Sequence, residues 1–315
     1  MGTPVSDRLA RHLDREVIVE YTADTFAKQK GYRHLLSVPS FYRLGFAAAQ
    51  CLPASVLYGV ADLLGMATYL ICRAPVNIVR ANLARAFPDA SDREVSRLTA
   101  KIFRNYARYL VDYGRFRWVP RTGSQTVIPV LEGRENLQAA FKTGRGVILV
   151  TGHIGNWELG GVSFGLRGIK VNVVTLPDGS RQIDAIRKGY RGQYSINTIV
   201  LDDSPFASLE MMAALKRGEV VAMLVDRWGK SDGVLAPFFG GVHYLPRGPF
   251  VLSRMTGAPI LPAFVVRDGP SYRGILESPF VVEEDDLRPY ALRVSNALEA
   301  VIRHYPDQWY NFVPL

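Results

Sequence analysis

Cysteine is scarce in this chain, with only Cys51 and Cys72 among its 315 residues. Both lie in apolar segments, and the Cys-x2-Cys spacing typical of a zinc site does not occur. The count excludes a disulfide framework, and we predict no metal site. A reducing compartment, such as the cytoplasmic side of a membrane, is the simplest environment for such a sequence.

Two further absences restrict the class of protein. Residues 1–40 are predominantly polar, and they lack the apolar stretch that forms the centre of a secretory signal peptide. We interpret residues 1–40 as a polar N-terminal extension whose role the sequence does not indicate. No motif typical of DNA- or RNA-binding proteins occurs either, so we predict no nucleic-acid partner.

The chain is basic, with 38 Lys and Arg residues against 29 Asp and Glu residues and a formal net charge of +9. Much of the excess lies in residues 73–121, which hold eleven basic residues and four acidic ones. Such a balance indicates an anionic partner. Since no nucleic-acid motif is present, we favour an anionic membrane surface or a phosphorylated carrier.

An apolar segment, residues 41–72, precedes the basic block. Its second part, Leu52 to Cys72, has 21 residues and is long enough to span a bilayer, but Asp62 lies at its middle. A carboxylate at the bilayer centre costs roughly 2.5–3.5 kcal/mol on insertion scales. We therefore favour two helices that lie in the membrane surface, with a single span as the alternative.

The stretch GVILVTGHIGNWELG, residues 146–160, carries the candidate catalytic residues. Its apolar run VILV is typical of a buried strand, and open α/β sheets place their chemistry where strands end. His153 follows this run, Asn156 is placed to cap the next helix, and Glu158 lies in the first turn of that helix. A carboxylate near an imidazole holds its tautomer and stabilises its charged form. We predict His153 as a general base that Glu158 orients.

This stretch resembles the H-x4-D/E motif of the glycerolipid acyltransferase superfamily, with His153 and Glu158 at the two defined positions. The chain is most similar to the branch that contains late lipid A (lauroyl and myristoyl) acyltransferases and actinobacterial phosphatidylinositol mannoside acyltransferases. The similarity runs from about Phe41 to near the C-terminus. The segment from Arg80 to Pro88 also resembles the R-x-N-L…A/C-F-P signature of the lipid A branch.

Strand-like and helix-like patterns alternate after the histidine. The pattern places strands at 171–176, 197–201 and 219–227 and helices at 183–190 and 204–215. Such alternation with short turns is typical of an α/β fold. We predict a mixed central sheet flanked by helices, as in the glycerolipid acyltransferases. Residues 73–315 then form one catalytic domain behind the membrane-associating helices of residues 41–72.

A second group of candidate residues lies between positions 226 and 247. Asp226 and Arg227 end a strand-like run and resemble the second conserved block of the superfamily, which helps to position the acyl donor or the acceptor phosphate; a structural ion pair is the alternative. Arg247 precedes a Gly-Pro turn that opens a helix, a place that favours anions. Phe238 and Phe239 either line an acyl pocket or belong to the core. With Asn156, these are our candidate substrate-binding residues.

The resemblance implies transfer of an acyl chain from a thioester, on acyl carrier protein or coenzyme A, to a hydroxyl of a membrane lipid. The acceptor it implies is a lipid A precursor or a related glycolipid or phospholipid. An acceptor of the phosphatidylinositol mannoside or lysophospholipid type stays open, because residues 226–228 resemble the mannoside branch. The resemblance implies no metal or redox cofactor, and it implies a location at the cytoplasmic face of the inner membrane.

Two alternatives from other classes of protein remain open on the sequence. The segment from Gly161 to Gly165 matches G-x-S-x-G, the nucleophile elbow of serine esterases, but that elbow needs a strand directly before the serine. Residues 157–166 instead read as a helix. The second alternative is a non-catalytic lipid-binding protein of the membrane. The presence of both His153 and Glu158 argues against it.

Overall fold

The computed structural model of the protein describes residues 39–116, 128–176, 181–201, 206–227 and 233–315, and within these ranges the side chains from residue 44 onward except those of residues 181, 183 and 184. These residues all belong to a single unit, Leu35–Leu315. The predicted N-terminal extension, residues 1–40, lies almost wholly outside the described residues, as does Trp228.

The described strands form a seven-stranded sheet and a separate two-stranded hairpin. The strands are β1 (Val130–Glu132), β2 (Val147–Thr151), β3 (Val171–Thr175), β4 (Ile196–Val200), β5 (Val220–Leu224), β6 (Val234–Phe238), β7 (Gly241–Leu245), β8 (Ile260–Asp268) and β9 (Ser271–Leu276). The sheet order is β1-β9-β8-β2-β5-β3-β4, and all neighbouring pairs are parallel except antiparallel β8 and β9. Strands β6 and β7 form the hairpin.

Helices connect and cover these strands. The helices are α1 (Pro39–Cys51), α2 (Ala54–Ile71), α3 (Arg73–Ala86), α4 (Asp92–Gly114), α5 (Arg134–Lys142), α6 (Trp157–Leu166), α7 (Arg181–Gly192), α8 (Phe206–Lys216), α9 (Gly248–Thr256) and α10 (Arg288–His304). A short 3-10 helix, Pro306–Gln308, follows α10. The predicted mixed α/β sheet flanked by helices is thus confirmed.

Strand β2 lies inside the sheet and is covered on both faces. Ile148 and Val150 point into one core, which also contains buried residues of α8, α9 and α10. Val147 and Leu149 point into a second core, which contains residues of α5, α6 and α7. Since both faces are buried, the strand is apolar throughout instead of alternating with polar residues, which is the usual composition of a parallel strand between helices.

Helix α4 is the scaffold for the N-terminal helices. The predicted capping box at its start is present: Ser91 accepts a hydrogen bond from the Glu94 backbone, and the Glu94 side chain accepts one from the Ser91 backbone at 2.8 Å. Helix α2 packs along α4 through Leu57, Ala61 and Gly65. At Gly65 the two helices approach so closely that a Cβ atom would lie 2.7 Å from the carbonyl oxygen of Phe103.

Asp62 is neutralised by α4. Its carboxylate accepts hydrogen bonds from Arg108 at 2.6 Å and from Arg104 at 3.0 Å. The other side of α2 exposes apolar side chains, namely Val56, Val60, Leu63, Leu64, Leu70 and Ile71. By length and composition alone, Ala54–Ile71 is able to cross a membrane, which is weak evidence for a span. The carboxylate is therefore not an isolated charge in an apolar helix.

We predict that Gly65→Ala lowers the free energy of unfolding by about 1–3 kcal/mol, because the added methyl group overpacks the contact between α2 and α4. Gly59→Ala is the matched control on the same helix, since a Cβ there meets no atom within 4 Å. It should leave stability unchanged or raise it by up to ~1 kcal/mol through helix propensity. Thermal unfolding in detergent, followed by far-UV circular dichroism, compares the two. Equal unfolding midpoints would contradict the close packing.

Candidate active site

His153 lies two residues beyond the end of β2, and Asp226 lies two residues beyond the end of β5. The two strands are parallel neighbours in which Thr151 pairs with Leu224, so both residues leave the sheet at the same edge. The Asp226 carboxylate contacts His153 twice: Oδ2 accepts from the backbone N–H at 2.9 Å, and Oδ1 lies 2.7 Å from the ring Nδ1. The strand pairing therefore brings together a base and a carboxylate that are 73 positions apart in sequence.

The double contact fixes both the position and the tautomer of the imidazole. Asp226 is fully buried, whereas one fifth of the His153 side chain is exposed. An ionised carboxylate only accepts hydrogen bonds, so Nδ1 carries the proton and Nε2 is the basic nitrogen. The Trp157 ring lies edge-on to the imidazole, with ring centroids 5.2 Å apart. The arrangement suits removal of a proton from a substrate hydroxyl by Nε2.

Burial and the neighbouring charges together keep the imidazole neutral and the carboxylate ionised. Burial lowers the pKa of His153, and Arg227 acts in the same direction, while Asp226 raises it; the net pKa is below the usual value. Burial raises the pKa of Asp226, but His153 and Arg227 outweigh burial, so this pKa is also below its usual value. A neutral imidazole at neutral pH is the form that a general base requires.

We predicted that Glu158 orients the His153 ring, but in the structure its carboxylate binds an arginine. Both of its carboxylate oxygens bind Arg191 on α7: Nε donates to Oε2 at 3.0 Å, and Nη2 donates to Oε1. The two side chains are buried, with 7% and 6% exposed. Burial lowers the pKa of Arg191, but the Glu158 carboxylate outweighs it and raises the pKa above its usual value. The residue that holds the imidazole is therefore Asp226, and Glu158 joins α6 to α7.

The Asn156 side chain caps the start of α6. As predicted, it is the N-cap residue: its side-chain oxygen accepts from the Leu159 backbone at 3.0 Å. Its amide nitrogen donates to the Tyr272 hydroxyl at 3.2 Å. That hydroxyl donates in turn to Asp112 on α4, which also accepts from Tyr58 on α2. A chain of hydrogen bonds thus connects the turn after His153 to the N-terminal helices.

The backbone of the turn requires glycine at position 155. Gly155 has a φ of 62°, and a Cβ atom there would lie 2.0 Å from the Val265 carbonyl oxygen on β8. The close approach permits the Asn156 N–H to donate to that same oxygen at 2.7 Å. The turn is therefore locked to β8 before α6 begins.

The C-terminal segment closes the other side of the turn. The Tyr310 N–H donates to the His153 carbonyl at 2.7 Å, and the Gly155 N–H donates to the Gln308 carbonyl at 3.0 Å. Arg227 donates to the Tyr310 carbonyl. Within the described residues the buried Nε of Arg227 meets no hydrogen-bond partner. Arg227 is thus held beside the site by one of its two outer nitrogens, Nη2, while its Nε–H has no partner among the described residues.

Three further predicted substrate-binding residues lie in the core or at the surface. Phe238 and Phe239 are buried, with ring centroids 6.2 and 5.5 Å from the Trp309 ring, so their side chains belong to the core. Arg247 is exposed at the start of α9. A cavity of about 80 Å³ lies instead between α6 and the face of the sheet, where Trp157 and Glu158 are among its lining residues.

Ser163 does not have the geometry of a hydrolase nucleophile. It lies in the middle of α6, and its side chain is 2% exposed. A nucleophile elbow places the serine at a sharp turn directly after a strand, where its hydroxyl is accessible. The glycines around it serve packing: a Cβ at Gly165 would lie 1.8 Å from the Tyr194 carbonyl oxygen.

Comparison with known proteins identifies relatives over most of the chain. Residues 26–315 match the family model described as bacterial lipid A biosynthesis acyltransferase. The lipid A biosynthesis palmitoleoyltransferase of Escherichia coli (strain K12) is 28% identical over 262 residues, which cover 82% of this chain and 84% of the relative. The lauroyltransferase of the same organism is 28% identical over 264 residues, with the same coverage.

A phosphatidylinositol mannoside acyltransferase of Mycobacterium tuberculosis (strain ATCC 25618 / H37Rv) is also similar. It is 24% identical over 280 residues, which cover 87% of this chain and 86% of the relative. The resemblance inferred from the motifs around His153 and Arg80 is confirmed by these matches.

We predict that Arg191→Met lowers the free energy of unfolding by about 3–5 kcal/mol, because it leaves the Glu158 carboxylate buried without a partner. The double variant Glu158→Met, Arg191→Met removes both charges and should recover most of that loss, since an apolar pair of similar volume fills the site. Urea unfolding of the two variants beside wild type measures the difference. A double variant that is as unstable as Arg191→Met would contradict this account.

Proposed function

Because the chain belongs to the family of bacterial lipid A biosynthesis acyltransferases, we propose that it moves a fatty acyl chain from a thioester to a hydroxyl of a membrane lipid. The donor is an acyl chain on acyl carrier protein or coenzyme A. The acceptor is a lipid A precursor or a related glycolipid or phospholipid. The observation that carries the proposal is the contact of His153 with Asp226, which leaves one ring nitrogen basic and accessible.

In the proposed reaction, Nε2 of His153 removes the proton of the acceptor hydroxyl while its oxygen attacks the thioester carbonyl. The carbon–sulfur bond then breaks, and the leaving thiolate takes the proton from the imidazolium. Asp226 holds the ring and stabilises its charged form. General-base catalysis of this kind contributes roughly 10²–10⁴-fold. The route needs no covalent acyl-enzyme.

The negative charge that develops on the carbonyl oxygen needs hydrogen-bond donors. We assign this role to Arg227 and to the backbone N–H groups of the glycine-rich turn. The Nε–H of Arg227 supports the assignment, because it has no hydrogen-bond partner among the described residues while Nη2 is fixed to the Tyr310 carbonyl. Donors that are fixed before the reaction stabilise such an oxyanion without reorganisation.

Glu158 has a positioning role in this proposal. It joins α6 to α7 through Arg191, and α6 carries Trp157, which packs edge-on against the imidazole. The cavity beneath α6 is the best place for part of the acyl chain, since Trp157 and Glu158 line it and its walls are mostly apolar. At about 80 Å³ it is smaller than an engineered cavity of roughly 150 Å³ that binds benzene, so a long chain must open it further.

The N-terminal helices supply the proposed membrane contact. The exposed apolar side of α2 faces away from α4, while Asp62 on its other side is neutralised by two arginines. We propose that α2 lies in the lipid surface of the inner membrane, at its cytoplasmic face. The basic residues of α3 and α4 follow α2 along the chain. Anionic lipid headgroups attract basic residues that lie close to a membrane.

The test is an acyl-transfer assay in detergent with labelled acyl carrier protein and coenzyme A thioesters, each offered with lipid A precursor, phosphatidylinositol mannoside or lysophospholipid. We predict that His153→Ala and Asp226→Asn each lower transfer at least about a hundredfold, since the base or the group that orients it is lost. His304→Ala, at an exposed histidine on α10, should behave as wild type.

The outcomes of this assay are distinct. Label in one acceptor identifies the lipid and the donor together. Variants that transfer as well as wild type would show that His153 has only a structural role. Release of free fatty acid with every acceptor present would favour a lipid esterase over a transferase.

The acid side of the pH profile provides a further prediction. Because the pKa of His153 is below its ordinary value of about 6.5, kcat/KM should fall with a midpoint below pH ~6.5 as the imidazole is protonated. Asp226→Asn removes the charge that raises this pKa, so the midpoint should move to still lower pH. Stopped assays over a series of buffers measure both midpoints. A wild-type midpoint at or above 6.5 would contradict the assignment.

A further inference from the structure

The cavity of about 80 Å³ between α6 and the face of the sheet, here called the α6 cavity, follows the helix away from the candidate active site. Trp157, whose ring lies edge-on to His153, lines it at the start of α6, and Arg167 lines it at the C-cap of the helix. Most of the other lining residues are apolar or glycine. A thioester carbonyl held beside His153 can therefore extend its acyl chain along α6.

Ser163 lines the α6 cavity between these two ends of the helix. Its side chain is 2% exposed, and its hydroxyl has no hydrogen-bond partner among the described residues. The described part of the chain has three other buried Ser or Thr residues, and each donates to a backbone carbonyl: Thr99 to Val95, Ser253 to Ala258 and Ser295 to Pro237. The Ser163 hydroxyl is the exception.

A buried hydroxyl without a partner is unfavourable, so the ligand of the cavity is the natural source of one. Among the described residues, the other polar side chains that line the cavity are those of Thr151, Glu158 and Arg167. The Glu158 carboxylate is held by Arg191, while Thr151 precedes α6 and Arg167 follows it. An unsubstituted alkyl chain offers Ser163 nothing, whereas a hydroxyl on the chain both donates and accepts.

We propose that Ser163 is a specificity-determining residue for the acyl donor: it selects an acyl chain that carries a hydroxyl group part way along its length. The inference rests on the proposed function, because it concerns the chain that the thioester delivers. Six residues at 1.5 Å each place Ser163 about 9 Å beyond Trp157 along the helix axis. An extended chain advances roughly 1.2 Å per bonded atom, so we expect the hydroxyl about seven or eight carbons from the thioester carbonyl.

The Ser163 hydroxyl acts on both kinds of acyl chain. A hydroxylated chain gives it a partner, whereas a plain chain covers it and leaves it unpaired. A site that hydrogen-bonds one group of its substrate discriminates strongly against an analogue without that group, because the polar group of the site is then left without a partner. Removal of the Ser163 hydroxyl should therefore weaken the reaction of the hydroxylated donor and improve that of the plain one.

The experiment is a competition between acyl thioesters of equal chain length, with the full chain in detergent. One donor is unsubstituted, one carries a hydroxyl beside the thioester, and one carries it about eight carbons along the chain. We expect wild type to prefer the third donor over the first by at least about tenfold in kcat/KM. Ser163→Ala should abolish this preference. A wild type that prefers the plain chain, or a preference that Ser163→Ala leaves unchanged, overturns the proposal.

Ser253→Ala is the matched control, because it removes the same atom from another buried serine, on α9. Its hydroxyl donates to the Ala258 carbonyl at 2.8 Å and accepts from the Val282 N–H at 3.1 Å. Ser253→Ala should lower the unfolding temperature and keep the wild-type donor preference. Ser163→Ala should keep or raise the unfolding temperature, since no hydrogen bond within the protein is lost. An equal loss of stability in both variants would show that Ser163 has a structural partner and would overturn the proposal.

A binding measurement without turnover separates this inference from the proposed function. Free fatty acids of equal length, with and without the mid-chain hydroxyl, are added to wild type and to Ser163→Ala, and the rise in unfolding temperature is recorded. We expect a larger rise with the hydroxylated acid in wild type alone. Equal rises in wild type, or a difference that persists in Ser163→Ala, overturn the inference even if transfer is observed. A difference that disappears in Ser163→Ala supports it even if no acceptor lipid is acylated.

Discussion

The contact between the Asp226 carboxylate and His153 is the constraint around which the rest of the site is built. A carboxylate that is fully removed from water stays ionised only if donors replace its hydration. The backbone N–H and the ring of His153 supply two such donors, at 2.9 and 2.7 Å. The parallel pairing of β2 with β5 sets these distances, because it brings the two strand ends to one edge of the sheet.

The elements around this contact prevent the turn from relaxing. Val265 on β8 accepts from the turn where Gly155 approaches it, and Tyr310 donates to the His153 carbonyl. On the far side, Glu158 and Arg191 join α6 to α7 within the second core. The first two contacts fix the backbone of the turn, and the third fixes α6. Among the described residues, none of these contacts involves the second ring nitrogen of His153.

Helix α2 has two different sides. Its inner side packs on α4 at Gly65 and neutralises Asp62, so this side belongs to the folded domain. Its outer side presents apolar residues. The hydrogen bonds from Tyr58 through Asp112 and Tyr272 to Asn156 join this helix to the start of α6. The proposed lipid contact and the candidate base are therefore parts of one connected structure.

The sequence by itself determined the features that depend on near neighbours. Fifteen residues hold the apolar run, the glycines, the Asn156 cap and Glu158 in the first turn of α6. The strand, the turn and the helix therefore followed from local hydrogen bonding and apolar periodicity. Alternation of such units also predicted the mixed α/β sheet. The position of His153 at a strand end, and the family resemblance, were likewise accessible from these residues.

Only the tertiary structure decided which charges meet. Asp226 is 73 positions from His153, and Arg191 is 33 positions from Glu158, so no local spacing distinguishes them from other acids and arginines. The pairing of strands and the packing of α6 on α7 make that choice. The same holds for Phe238 and Phe239, which either line a pocket or fill a core according to what covers them. Here Trp309 covers them, because the C-terminal segment returns to the sheet.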